Sequence, residues 1–447
     1  MIAVVPFKNL SAEPGNDYFV DGLTDEIIRN LSVVDGLEVR SRTSSFVYKD
    51  KPRHVAEIGQ QLAANLVVEG SVLRTGERLR INAQLVRVAD DTPLWSGRFD
   101  RELKDVFAIQ DEISRSIVNE LRLKLGRGQR RYTTNVEAYQ LYLKARALVR
   151  SRGLEETRAA TALFEQVIAK DSAFAPAYAG IADAWAALSV NYAGVPVEEA
   201  FAHMRPAAER ALQLDPLLSE AHAAMGVVLA RNREWTRSEE AFRRALELNP
   251  NVSFVYVSFV TSRLLPEARL NEALALLRTA RKLDPFSFDV QRVTAYVQVS
   301  AGQYENAIKS ARLVVTADRQ LDSQSDLLQA YARQVLARAL LHHGDRDEAL
   351  RILEQLGPGS HNFRGYAYGI MGRRAEAEAL AAQHAGFPAR LALIYAGLGD
   401  KDHVFQALEK MAAEGDPRVG AYLTYPELAL VRGDPRLDAF RRELGFR

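Results

Sequence analysis

Residues 219–250 read SEAHAAMGVVLARNREWTRSEEAFRRALELNP. Met225, Gly226 and Leu229 share one face of a first helical pattern. Ser238, Phe242, Ala245 and Leu246 share one face of a second. Apolar and small residues recur at i, i+3, i+4 and i+7, the period of a helix that buries one side. Gly226 lets two helices approach closely; a Leu there overpacks by roughly 1–3 kcal/mol. Pro250 cannot continue a helix interior and so closes the unit.

The closing signal repeats. Leu-Asp-Pro ends at Pro216, Leu-Asn-Pro at Pro250 and Leu-Asp-Pro at Pro285, intervals of 34 and 35 residues. Helix–turn–helix units of about 34 residues mark tetratricopeptide repeats. The unit Ser219–Pro250 resembles that family through Gly226, Leu229, Ser238, Phe242, Ala245 and Pro250. It departs at His222, where a bulky aromatic is usual.

The totals bound the rest. A chain of 447 residues exceeds one ordinary core and suits an array plus a separate domain. The 58 basic and 57 acidic residues, net +1, argue against a nucleic-acid surface or a polybasic membrane patch. With no cysteine, disulfide and thiolate chemistry are excluded. No apolar run approaches the roughly 20 residues that span a bilayer. The expected compartment is the cytoplasm for the chain as it stands, or the periplasm if a membrane span precedes it.

Residues 1–126 have a different texture. Ile2–Phe7 predicts a strand, Asp17–Leu31 a helix with Thr24, Asp25 and Glu26 on its solvent side, Leu37–Ser41 a strand and His54–Leu62 a short helix. Asn65–Thr75 and Arg78–Val88 alternate around Gly76-Glu77 as a hairpin. Pro93–Asp100 adds a strand, and Val106–Leu125 a helix. The segments IAVVPF, NDYFVDGLTDEIIRNLSVVDGLEVRSRTSSF and LVVEGSVLRTGERLRINAQLVRVADDTPLWSGRFDREL resemble the TolB N-terminal-like domain of bacterial signalling proteins. That resemblance implies a domain placed before tetratricopeptide repeats and after an effector: a winged-helix DNA-binding domain with a membrane span, a cyclase or a serine/threonine kinase. None of these effectors is encoded within the 447 residues.

The expected fold class is α+β. A small mixed α/β domain (1–126) and a linker (127–134) precede an all-α tetratricopeptide superhelical solenoid (135–433), ended by a capping helix (434–447). About seven or eight units are expected, the first pairing Tyr139–Arg150 with Glu155–Ala169 and the last candidate spanning Ala389–Ala412. The turn around Asn191–Pro196 is stretched, and Gln320–Asp326 is a polar break.

Reaction chemistry finds no support in the motifs. There is no GxxxxGK, no GxGxxG after a strand, no HExxH and no nucleophile elbow around Ser44-Ser45. His342-His343 point about 100° apart on a helix and cannot chelate one metal from one face. Asp90-Asp91 and Asp21, Asp25 and Glu26 read as turn and helix-surface charges. Trp95, Trp185 and Trp235 read as packing residues. No catalytic, cofactor or metal site is expected. What remains is surface. First helices of stacked pairs line a concave face, and by analogy with the family the groove positions are Arg231, Ser262, Arg292, Gln334, Arg338 and His342. Their basic character suits an acidic or C-terminal peptide. The expected activity is non-enzymatic: a scaffold or regulatory module in bacterial signalling that binds a protein or peptide partner. The alternatives are the regulatory portion of an adenylate cyclase or kinase system, or the sensory half of a membrane-anchored winged-helix transcription regulator.

Overall fold

A computed structural model describes residues 1–11, 16–51, 54–121, 134–151, 154–191, 195, 197–317, 326–416 and 418–446. The expected linker at 127–134 therefore lies outside the described residues as far as 133. So do most of the stretched turn at 191–196 and of the polar break at 320–326. The chain divides into two compact units. One is Met1–Val228 with Glu239–Tyr256 and Thr279–Ser287; the other is Leu229–Ser238, Val257–Arg278 and Phe288–Arg447.

The first unit opens with a mixed sheet. Strands β1 (Ile2–Val4) and β2 (Lys8–Asn9) both run parallel to β3 (Leu66–Thr75), which pairs antiparallel with β4 (Arg78–Arg87), and β4 with β5 (Thr92–Glu102). The β3–β4 hairpin turns at Gly76, whose φ of +57° is costly for residues with a Cβ. Residues 37–41 alternate as a strand does, yet contribute only an isolated bridge from Val39 to Ile2. Alternation in β3 divides the apolar residues. Val68 and Val72 join the core of α1 (Asp17–Ser32) and α4 (Val106–Glu120), through Phe19, Leu23, Ile27, Ile113 and Ile117. After the short α2 (Arg42–Phe46), α3 (Val55–Leu62) packs Val55, Ile58 and Leu62 with Val67 of β3.

Helical pairs follow. In the first unit they begin with α5 (Val136–Ser151) and α6 (Leu154–Lys170), then α7 (Ala175–Asn191) and α8 (Val197–Leu214). The third pair is α9 (Ser219–Arg231) and α10 (Trp235–Leu248); the fourth is α11 (Ser253–Phe259), extended by a π turn at Val260–Leu264, and α12 (Leu270–Leu283). A Cβ built on Gly226 meets the Phe242 ring at 2.9 Å, so the small residue is what lets α9 and α10 approach. Ser219 adds its Oγ to the Ala245 carbonyl at 2.9 Å.

One sequence expectation fails here. Thr24, Asp25 and Glu26 are buried, at 0, 4 and 6% exposure, rather than on a solvent side. Their partners lie elsewhere in the chain. Arg146 of α5 reaches Asp25 at 3.0 Å and Glu26 at 2.9 Å, and the Phe7 amide donates to Thr24 Oγ1 at 3.1 Å.

The turns that end the repeats also hold the N-terminal domain. Asn249 Nδ2 donates to Ser32 Oγ at 2.8 Å. Asn251 Nδ2 donates to the Ser32 and Leu37 carbonyls at 2.6 and 3.0 Å, and its Oδ1 accepts from the Val39 amide at 3.2 Å. One repeat later, Asp284 accepts from Ser44 Oγ at 2.6 Å and Ser253 Oγ at 3.1 Å. Burial pushes the Asp284 carboxyl above its ordinary range, against the pull of those hydroxyls. Ser44, within α2, is thus a docking residue.

In the second unit come α13 (Phe288–Ser300) and α14 (Tyr304–Ala317), α15 (Asp326–His343) and α16 (Arg346–Gln355), α17 (His361–Ile370) and α18 (Arg374–Gln383), then α19 (Pro388–Leu398) and α20 (Lys401–Ala413). The chain continues through α21 (Val419–Tyr422), a 3-10 turn at Pro426–Val431 and α22 (Pro435–Glu443). Beyond α22, Phe446 packs 4.9 Å from Trp235, and Trp235 Nε1 donates to the Leu444 carbonyl at 3.0 Å.

Candidate functional site

The six groove positions do not form one open surface. Arg231 ends α9 and is half-buried; burial pulls its guanidinium down to about 10. Ser262 sits in the π turn, also half-buried. Arg292 on α13 pairs with Asp289 at 3.5 Å and lies over the Tyr331 ring at 5.9 Å. Gln334, Arg338 and His342 recur every fourth residue of α15, one stripe on that helix.

Arg338 departs from its expected outward position. It is 1% exposed. Its Nε donates to Glu427 Oε1 at 2.7 Å and its NH2 to Oε2 at 2.9 Å, a two-pronged charged bond that suits a planar guanidinium. The guanidinium carbon lies 4.1 Å from the Tyr425 ring centroid, 4.6 Å from Phe363 and 5.1 Å from Tyr296. His342 Nε2 approaches Glu427 at 3.5 Å, and its ring stacks near Tyr304 and Tyr366. His343 turns elsewhere, to Asp345 at 2.7 Å, so the adjacent histidines serve different partners.

The residues that meet Arg338 come from the stretch after the last repeat. Pro426 starts the 3-10 turn and Tyr425 precedes it in extended conformation. Tyr425 hydroxyl bonds Tyr296 hydroxyl, and its ring stands edge-on to Tyr296 and stacks on Tyr422 at 4.6 Å. Burial alone disfavours the Glu427 carboxylate, but Arg338, with help from His342, holds its pKa down to about 2. Burial also pushes Tyr296 up to about 12 and Tyr425 well above its ordinary value. Sequence reasoning missed Tyr425 and Glu427. The available signal was composition: AYLTYPELALV, residues 421–431, is too apolar and aromatic for a solvated connection.

A second polar cluster pairs His361, at the start of α17, with His384, just after α18. His361 Nδ1 lies 2.7 Å from His384 Nε2, and Arg390 reaches His384 Nδ1 at 3.0 Å. Arginine can only donate, so His384 accepts at Nδ1 and carries its proton on Nε2, which donates to His361. Burial and the nearby charge of Arg364, with His384 and Arg390, hold His361 down to about 4; burial, Arg390 and Arg364 also lower His384. Both histidines take up protons more readily when unfolded. Stability is therefore complete above about pH 6.5 and falls as pH drops toward 4, by roughly 1–3 kcal/mol. Urea unfolding of His361→Gln from pH 7 to pH 4 is expected to show a flatter profile than wild type. Equal slopes remove this pair as the cause.

Among the described residues, no group of three or more His, Asp or Glu is placed to hold a metal ion, and no helix is long and apolar enough to cross a membrane.

Comparison with known proteins adds two family matches, a curated relative and two solved structures. Residues 219–252 match the tetratricopeptide repeat family, so the repeat is present. Residues 1–116 match the family described as HilA/YgeH-like transcriptional regulator, second domain; the TolB N-terminal-like domain expected there is not what that match gives. A curated relative, "Putative adenylate cyclase 3" of Rhizobium meliloti (strain 1021), is 34% identical over 245 residues, 54% of this chain. The chain spans 42% of that relative's length. Among solved structures, a Rap protein complexed with competence and sporulation factor is similar over 69% of this chain and 99% of its own, at 11% identity and a TM-score of 0.50. YrrB, a TPR protein with an unusual peptide-binding site, covers 43% of this chain and 90% of its own at 18% identity and a TM-score of 0.29. The N-terminal sheet domain is followed by a largely helical solenoid of tetratricopeptide type.

Proposed function

We propose that this protein is a non-enzymatic interaction module of bacterial signalling, which binds a protein or peptide partner through the first-helix side of its repeats. The observation that carries the reading is the series of helical pairs built on a tetratricopeptide match at 219–252. A stacked array of this kind offers extended surface for a partner. The domain boundary is placed within 127–134, and the N-terminal domain is taken as TolB-like or HilA/YgeH-like.

Arg231, Ser262, Arg292, Gln334 and His342 are the proposed contact set; Arg338 takes part only through what becomes of Glu427. A charge-assisted contact from Arg231 or Arg292 to a partner carboxylate contributes roughly 1.5–3 kcal/mol. Arg231→Ala/Arg292→Ala is expected to weaken binding about tenfold or more with little change in melting temperature, since 1.4 kcal/mol is a factor of ten. The test is capture of a partner from the source bacterium and its titration against both proteins. Equal affinities would move the binding surface to the N-terminal domain.

A second reading draws on the relatives. The 245-residue similarity to a protein called a cyclase supports a regulatory portion of a cyclase system. The match at 1–116 supports the sensory half of a transcription regulator. Nucleotide turnover by the purified chain, lost in a point mutant of the same chain, would overturn the non-enzymatic reading.

A further inference from the structure

The first-helix side of repeats five to seven already holds a bound segment, and the segment belongs to the chain itself. Residues 421–431 lie outside the helical pairs. The stretch leaves the end of α21, is extended at Tyr425 (φ −66°, ψ 133°), and continues as a 3-10 segment kinked at Leu428. Gly433, just after the stretch, has a positive φ of +79°, and Gly415, before α21, one of +69°, so the chain turns sharply at both points. The 3-10 turn also packs on α19 and α20 of the last pair, but the polar and aromatic contacts that follow are made to first helices. Tyr296 and Ser300 of α13 take Tyr425 and Thr424. Arg338 and His342 of α15 take Glu427. Phe363 of α17 stacks near Tyr425, with ring centroids 6.2 Å apart.

The chemistry is that of recognition more than of simple filling. A segment needed only to cover apolar helices would do so with Leu and Val. A buried ion pair gives little stability over a well-packed apolar pair, because removing both charges from water offsets their attraction. What it fixes is register: one carboxylate at one place along the groove. Arg338 and Glu427 side chains are 1% and 0% exposed. Tyr425 supplies the aromatic anchor, and Pro426 holds the chain extended before it.

We propose that residues 421–431 are an intramolecular ligand of the first-helix groove, and that the partner taken there in trans carries the same chemistry, an aromatic residue and a proline followed directly by a carboxylate. The inference rests on the protein-binding reading above. Binding in trans then requires release of this segment, so wild-type protein is largely closed to the partner.

The experiment uses the full chain and a fluorescent synthetic peptide, AYLTYPELALV. Glu427→Gln removes the charge of the internal segment and keeps its shape. Its affinity for the peptide is expected to exceed that of wild type at least tenfold, and adding Arg338→Met is expected to abolish the gain. A folded Glu427→Gln protein that binds no better than wild type overturns the proposal. Should that variant not fold, hydrogen exchange of wild type decides. Amides of 421–431 that exchange through an opening cheaper than global unfolding support an exchangeable ligand; exchange only with global unfolding makes the segment permanent core. A captured partner that binds Glu427→Gln and wild type equally, yet is lost with Arg231→Ala/Arg292→Ala, leaves the protein-binding reading standing and removes this one.

Discussion

Arg338→Ala is expected to destabilise the protein by about 3–5 kcal/mol at pH 7, because it strands a buried carboxylate without its partner. Glu427 is 2% exposed, and after the substitution only His342, 3.5 Å away, faces it. The loss is one of electrostatics and not of volume alone, which a double variant separates. Arg338→Met/Glu427→Leu removes both charges, keeps much of the bulk, and is expected to recover most of the loss. The pH dependence carries the same sign. In wild type the Glu427 carboxyl is lowered from 4.5 to about 2. Its contribution is complete above about pH 4.5 and fades as pH falls toward 2. In Arg338→Ala, burial favours the neutral acid, so the gap between variant and wild type narrows over that window. Urea unfolding at pH 7 and pH 3 measures both. A single variant within 1 kcal/mol of wild type at pH 7 would show that the pair is not structural. The sequence-based expectation is opposite, an arginine that faces the groove and a partner.

That reversal shows which parts of the structure are legible in the sequence. Gly226 and Phe242 lie sixteen residues apart in chain order, and helical period alone brings them together. The β3–β4 hairpin was equally plain, because Gly76-Glu77 separates two alternating runs. Arg338 lay on a correctly read stripe with Gln334 and His342, but period says which residues share a face, not what covers it. The cover arrives 89 residues later. Asp25 and Glu26 follow the same logic: their helix was predicted, and the arginine that buries them lies about 120 residues on. Asn249 and Asp284 were noticed for a different reason. The Leu-Asn-Pro and Leu-Asp-Pro runs served as period marks, and their polar residue turned out to be the one that holds Ser32 and Ser44.

Asn251→Leu is expected to lower stability by about 3 kcal/mol or more, through the backbone groups of residues 32–39 that its amide satisfies. Its amide accepts from the Val39 N–H and donates to the Ser32 and Leu37 carbonyls, all within the first unit. Leucine fills the volume and satisfies none of them, and a buried unsatisfied group costs roughly 1–3 kcal/mol. Asn249→Ala removes a bond to a hydroxyl that already donates to its own helix carbonyl, and also the acceptor of the buried Asn251 N–H, so a loss of about 1–3 kcal/mol is expected there. The functional consequence lies in how the N-terminal domain is held. Trypsin has sites at Arg127, Arg130 and Arg131, inside the proposed boundary. Nicked wild-type protein is expected to elute as one species on size exclusion, because Asn249, Asn251 and Asp284 still grip residues 32–44. Nicked Asn251→Leu is expected to separate into two. Fragments that part in wild type would mean that these bonds do not hold the domain. An unchanged urea midpoint in Asn251→Leu would mean that Asn251 is not the residue that does so.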